Sequence, residues 1–287
     1  MSTGDDRQTC RVCPRGCRLA EGQIGACRAR GCASGKIVPL NYGRVTSLAL
    51  DPIEKKPLAR FLPGSRVLSV GSFGCNLFCP FCQNHEISQT GLADGIGSEP
   101  VTDHRVMTPQ MIRDLALELE EEGNIGVAFT YNEPLVGFEF VRDTAALVRE
   151  VGMRNVFVTN GCVTPETFRE VLPFADAMNI DLKAFTEEGY ARLGGNLAAV
   201  RASIESAAAC CHVEVTSLIV PGLNDDVKEM DREAAWLSSV DPEITLHITR
   251  YFPRYRMTGG EPTGRQLMER LRDTAGKHLR HVLLGNI

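Results

Sequence analysis

No apolar run in this 287-residue chain approaches the length of a membrane-spanning helix. The opening MSTGDDRQTC lacks the charged-then-apolar pattern of a secretory leader, so a cytoplasmic location is expected. Positive charge is also in short supply: 31 Lys and Arg against 36 Asp and Glu give a net charge of −5. Aromatic residues make up 6%, with a single Trp. Single-stranded nucleic acid is held by basic grooves with interleaved aromatics, so neither a nucleic-acid nor a membrane partner is expected. The one basic cluster is Arg250, Arg254 and Arg256, around Tyr251 and Tyr255. Hydrophobic residues reach 43%, enough for a real core and too many for a disordered chain.

Cysteine is abundant, with eleven residues. In a reducing compartment disulfides are not favoured, and clustered thiols point to metal or catalysis. Cys10, Cys13, Cys17, Cys27 and Cys32 crowd the N-terminus; Cys75, Cys79 and Cys82 follow; Cys162, Cys210 and Cys211 are scattered.

Residues 1–64 read as an irregular Cys-rich metal-binding segment, and 65–287 as the core domain. From Arg66 onward strand and helix signals alternate. RVLSVGS (66–72), IGVAFTY (125–131), NVFVTN (155–160), AMNIDLKAF (177–185), HVEVTSLIVPG (212–222), EITLHITRYF (243–252) and HVLLGNI (281–287) are strand-like. Amphipathic helices are expected between them at 107–123, 134–152, 164–175, 196–211, 226–240 and 263–279. Thr108–Pro109 and Thr164–Pro165 are entry signals: a capping hydroxyl, then proline at the first helical position. Six strand–helix units and a final strand predict an α/β fold, a partial (β/α)6 TIM-like barrel. Barrels of this kind carry their chemistry at the C-terminal ends of the strands. Those ends hold Cys75–Cys82, Asn132–Glu133, Thr159–Asn160–Gly161, Asp181–Lys183, Pro221–Gly222 and Tyr251–Tyr255.

GSFGCNLFCPFCQNHEIS (71–88) places three cysteines as C-x3-C-x2-C, with Gly71 and Gly74 allowing sharp turns. Three thiolates suit an iron–sulfur cubane with one iron left open. The competing reading is a zinc site closed by His85. Asn160–Gly161 can be an ordinary turn, and Asp181–Lys183 an ordinary pair on one side of a strand.

The C-x3-C-x2-C loop after the first strand, with Phe81 before the last cysteine, resembles the radical S-adenosylmethionine (SAM) superfamily. The resemblance implies a [4Fe–4S] cluster on Cys75, Cys79 and Cys82 whose open iron chelates SAM. Reductive cleavage would give methionine and a 5′-deoxyadenosyl radical that abstracts hydrogen from a substrate. An external low-potential donor, flavodoxin- or ferredoxin-like, is then implied. YNE (131–133) sits where the family has a Gly-Gly-Glu motif, so Glu133 and Asn132 would approach the SAM amino group. TNG (159–161), DLK (181–183) and VPG (220–222) resemble the activating enzymes of glycyl-radical proteins such as pyruvate formate-lyase. There Thr159 and Asn160 would border SAM, Lys183 would reach its carboxylate and Asp181 would face the substrate. Val158 replaces an Asp of those enzymes. RYFPRY replaces their Leu-Pro-Tyr-His ending and puts Tyr255 where a ribose-contacting His is expected. His85 is then expected to lie off the iron.

Cys10, Cys13, Cys17 and Cys27 form C-x2-C-x3-C-x9-C, a spacing suited to zinc or a second iron–sulfur cluster. Cys32 is a spare. This arm, the run DPIEKKPL (51–58) within 42–65, the cluster loop and TYNEP together resemble the radical SAM member of the AmmeMemoRadiSam system, which implies AMMECR1-like and Memo-like partners. Lys55 and Lys56 in that run read by default as two solvated side chains. Three functions follow: a radical SAM oxidoreductase resembling glycyl-radical activases and acting on a protein substrate; one modifying a small molecule or peptide; or, in another class, a non-catalytic iron–sulfur or zinc electron-transfer module.

Overall fold

The computed structural model describes residues 6–287; residues 1–5 of the expected N-terminal segment lie outside them. Its main sheet has eight strands: β1 (Ser47–Pro52), β2 (Arg66–Gly71), β3 (Asn124–Phe129), β4 (Arg154–Thr159), β5 (Ala177–Asp181), β6 (His212–Ile219), β7 (Thr245–Arg250) and β8 (His281–Gly285). Strands β2 to β8 pair in sequence order and in parallel. β1 runs antiparallel along the outer edge of β2. The sheet stays open between β1 and β8, so this is a partial barrel of six strand–helix units plus a last strand.

The crossover helices are α1 (Pro109–Glu118), α2 (Phe138–Glu150), α3 (Pro165–Val171), α4 (Leu197–Ala208), α5 (Val227–Val240) and α6 (Arg265–Ala275). Their starts are set locally. Thr108 accepts from Met111 N and Thr164 from Thr167 N, each followed by proline at the first helical position. Asn196 and Asp226 cap α4 and α5 in the same way. The expected helix over 134–152 begins instead as a tight turn, Pro134–Gly137. The strand expected over 177–185 ends at Asp181, and a further short helix, Glu187–Arg192, follows it.

Alternation along the strands separates two faces. Leu68, Val70, Val127, Phe129, Phe157, Met178, Ile180, Val215, Leu246 and Ile248 face the helices and form the main core. Inward, the register aligns Val156 with Ala177, Val158 with Asn179, Asp181 with Thr216, and Leu218 with Thr249. The lower end of this inner face is apolar. Ile53 and Leu58, from the connection between β1 and β2, are fully buried against Val67, Ala128, Val156 and Ala177. The upper end is polar and opens into the site.

The N-terminal region is more ordered than its irregular sequence suggests. Gln8–Thr9 pairs with Arg18–Leu19, and Arg30–Ala33 with Lys36–Pro39. Ser47–Pro52 joins the main sheet as β1. Strands of two to four residues carry too little periodicity to be read from sequence, which is why they were not expected.

Candidate active site at the strand ends

β2 ends at Gly71, where the chain enters the cysteine loop. Gly74 has φ +89°, a left-handed conformation that suits glycine. A Cβ there would lie 2.6 Å from the Cys27 carbonyl oxygen. The loop is braced by Asn132: its Nδ2 donates to the carbonyls of Phe73 (3.2 Å) and Gly74 (3.1 Å), and its Oδ1 accepts from Ser72 N (3.0 Å). Asn132 therefore supports the loop backbone while also lining the site.

Cys75, Cys79 and Cys82 border one cavity of about 290 Å3. Phe81, Asn132, Glu133, Thr159, Asn160, Asp181 and Lys183 border it too. Glu133 is 2% exposed and accepts from Thr159 Oγ1 (2.7 Å), Asn160 N (2.7 Å) and Leu135 N (3.0 Å). Burial pushes its carboxyl up to about 7, against those hydrogen bonds. Asn160 Nδ2 points at Cys75 Sγ (3.6 Å) and donates to Asn76 Oδ1 (3.0 Å). The Lys183 ammonium meets Asp181 Oδ2 at 2.7 Å. Burial would lower the Lys183 pKa, but Asp181 more than offsets this and holds the ammonium charged. Burial pushes the Cys79 thiol up to about 11, with the Lys183 charge opposing. Iron would replace the proton on such a thiol.

Two expected positions stand apart. Tyr255, at φ +56°, does not border the cavity; its ring stacks on His85 at 4.3 Å. His85 is held in that stack. The expectation of two solvated lysines fails for Lys56. It is 2% exposed and donates to Asp51 Oδ2 at 2.8 Å, while Lys55 keeps to the surface. Burial alone would raise Asp51, but hydrogen bonds from Lys56 and Tyr131 hold it well below the usual carboxylate range.

The site also uses residues that the sequence did not single out. Ser88 Oγ lies 3.1 Å from Cys82 Sγ. Tyr131, Thr216, Leu218 and Thr249 border the cavity from the inner face. Thr216 and Thr249 could have been found from polar residues recurring at every second position of otherwise apolar strands. In the arm, Cys10, Cys13, Cys17 and Cys27 gather around a second, small enclosed hollow, and Cys32 is not part of it.

The donor set suits the group the loop implies. Three sulfurs stand together at a strand end, with an amide directed at one of them and a cation and a buried carboxylate bordering the same cavity. Cys75, Cys79 and Cys82 would hold the cluster, leaving the cavity side of it to Glu133, Asn160 and Lys183. Among the described residues, no helix is long and apolar enough to cross a membrane.

Comparison with known proteins agrees with this geometry. The radical SAM superfamily profile matches residues 69–234. The uncharacterized protein MJ0808 of Methanocaldococcus jannaschii is 36% identical over 99% of this chain and 82% of its own length. Two solved structures share the fold. Streptococcus suis SuiB bound to S-adenosylmethionine aligns over 74% of this chain and 47% of its own, with TM-score 0.54 and 12% identity. Escherichia coli QueE aligns over 85% and 93%, with TM-score 0.50 and 12% identity.

Proposed function

This chain belongs to the radical SAM superfamily, and we propose that it abstracts a hydrogen atom from a substrate held against the inner face of its sheet. The observation that carries this reading is the shared cavity of Cys75, Cys79, Cys82, Glu133, Asn160 and Lys183. When bound, the [4Fe–4S] cluster and SAM supply the electron transfer and the hydrogen-abstracting species, with the electron coming from an external low-potential donor.

The chain's own residues bind and orient. Glu133, held in place by three accepted hydrogen bonds, is a carboxyl raised by burial whose charged form an ammonium would favour. Lys183, kept charged by Asp181, is suited to a carboxylate. Asn160 donates toward the Cys75 sulfur and steadies its negative charge. Leu218 and Thr249 wall the same cavity as the cysteines. The motifs TNG, DLK and VPG favour an activating-enzyme-like reaction at a protein backbone. The polar inner face, with Thr216, Thr249 and Tyr131 on a closed apolar floor, favours a second reading: a small polar molecule or peptide side chain, handled with AMMECR1-like and Memo-like partners.

Anaerobic reconstitution and reduction test the shared core of both readings. The expected result is SAM-dependent change in the EPR spectrum and release of 5′-deoxyadenosine, both lost in Cys79→Ala. A reduced cluster indifferent to SAM, with no 5′-deoxyadenosine, would leave only the non-catalytic module.

A further inference from the structure

We propose that Cys10, Cys13, Cys17 and Cys27 hold a second [4Fe–4S] cluster, seated directly against the loop that carries the first. The inference does not depend on SAM cleavage.

The four cysteines line one enclosed hollow of about 10 Å3, room for about one water molecule. A zinc ion draws four sulfurs to about 2.3 Å from a common centre, inside their own contact distance from water. No space for a water would remain among them. A cubane is wider and holds its thiolates farther apart.

A second observation points to an anionic occupant. Arg30 borders the hollow and is 4% exposed. Its Nη1 and Nη2 donate to Glu139 at 2.8 and 2.7 Å, but its buried Nε has no partner among the described residues. A buried, unpaired guanidinium N–H is costly. Four thiolates around a cubane keep net negative charge, and a ligand sulfur offers that N–H an acceptor.

The hollow is joined to the active-site loop. Cys75 N donates to the Cys27 carbonyl at 3.1 Å, so a ligand of one site is hydrogen-bonded to a ligand of the other. Asn76 borders both the hollow and the space beside Cys162, and it accepts from Asn160. Filling the N-terminal site thus fixes the backbone from which Cys75 projects.

The test is metal counting on the full chain after anaerobic iron–sulfur reconstitution. The wild type is expected to hold about eight iron atoms, and Cys13→Ser/Cys17→Ser about four. Cys75→Ala/Cys79→Ala/Cys82→Ala is expected to retain about four, with an EPR signal that SAM does not alter. In the doubly reduced wild type the two signals should broaden each other, as neighbouring paramagnets do. Cys32→Ser should keep the full count. If Cys13→Ser/Cys17→Ser does not fold, the triple variant decides alone. A triple variant without iron, or one zinc per chain lost in Cys13→Ser/Cys17→Ser, overturns the inference. A chain with the full iron count that cleaves no SAM would instead sink the proposed function and leave this inference standing.

Discussion

The Tyr131 hydroxyl donates to Asp51 Oδ2 at 2.7 Å, and the Lys56 ammonium donates to the same oxygen at 2.8 Å. Lys56 also sits 4.6 Å from the centre of the Tyr131 ring. Ser69 Oγ completes the set at 3.0 Å. The edge strand, the following connection, the first parallel strand and the wall of the cavity are thereby tied to one carboxylate. Tyr131 adopts φ +73°, a conformation costly for a bulky side chain, and this network holds it there.

Removing the carboxylate should leave Lys56 buried without a partner. Asp51→Ala is expected to cost about 3–5 kcal/mol in a denaturant titration. Tyr131→Phe keeps the ion pair and should cost only about 1 kcal/mol. Equal losses in the two variants would refute the hierarchy.

Much of this was within reach of the sequence, for identifiable reasons. Thr108–Pro109 and Thr164–Pro165 announce their helices because capping is local. The strands announce themselves because strands of a parallel sheet, covered by helices, read as short, nearly continuous apolar runs between amphipathic helices. Cys75, Cys79 and Cys82 stand out because a loop must bring three sulfurs together within eight residues. Lys56 does not. Within EKK it looks solvated, and only the fold brings Asp51 and Tyr131 to it. The role of Asn132 was hidden for the same reason. Its carbonyl partners belong to a loop nearly sixty residues earlier in the chain.

Asn132→Asp is close in shape but cannot donate to the carbonyls of Phe73 and Gly74, and it sets a negative charge against them. Ser72 N keeps its acceptor. The loop should loosen while the fold persists. Iron retention on Cys75, Cys79 and Cys82, followed by chelator challenge, is expected to weaken about 10- to 100-fold. Unchanged retention would show that the brace is dispensable.

Glu214 gives the clearest pH dependence. It is fully buried and accepts from Ala59 N, Arg60 N, His212 and His247. Burial opposes the charged form, but those hydrogen bonds hold the carboxyl down at about 2, below its ordinary 4.5. A depressed carboxyl contributes stability that is fully present above its unfolded value and lost as pH falls through the folded value. Its contribution, about 3 kcal/mol, should therefore be intact near neutrality and fade from about pH 4.5 down to about 2. Urea titrations of wild type and Glu214→Gln should differ most above pH 5 and converge in acid. A gap that stays constant down to pH 3 would remove the charge from the explanation.

Gly74→Ala tests the contact between the two cysteine regions. Space is one obstacle: the added methyl would meet the Cys27 oxygen at 2.6 Å and the Ala29 Cβ at 2.7 Å. Backbone is the other, since φ +89° strains any residue with a Cβ. Relief requires Gly74 and Cys27 to separate, which stretches the hydrogen bond from Cys75 N to Cys27 O. The cost should be about 1–3 kcal/mol. More telling is where it appears. Gly64, also at positive φ (+82°), has nothing within 4 Å of its would-be Cβ, so Gly64→Ala carries only the backbone strain. If the arm and the loop act as one unit, Gly74→Ala lowers iron retention at both sites and Gly64→Ala at neither. Loss confined to Cys75, Cys79 and Cys82 would mean that the arm is merely adjacent.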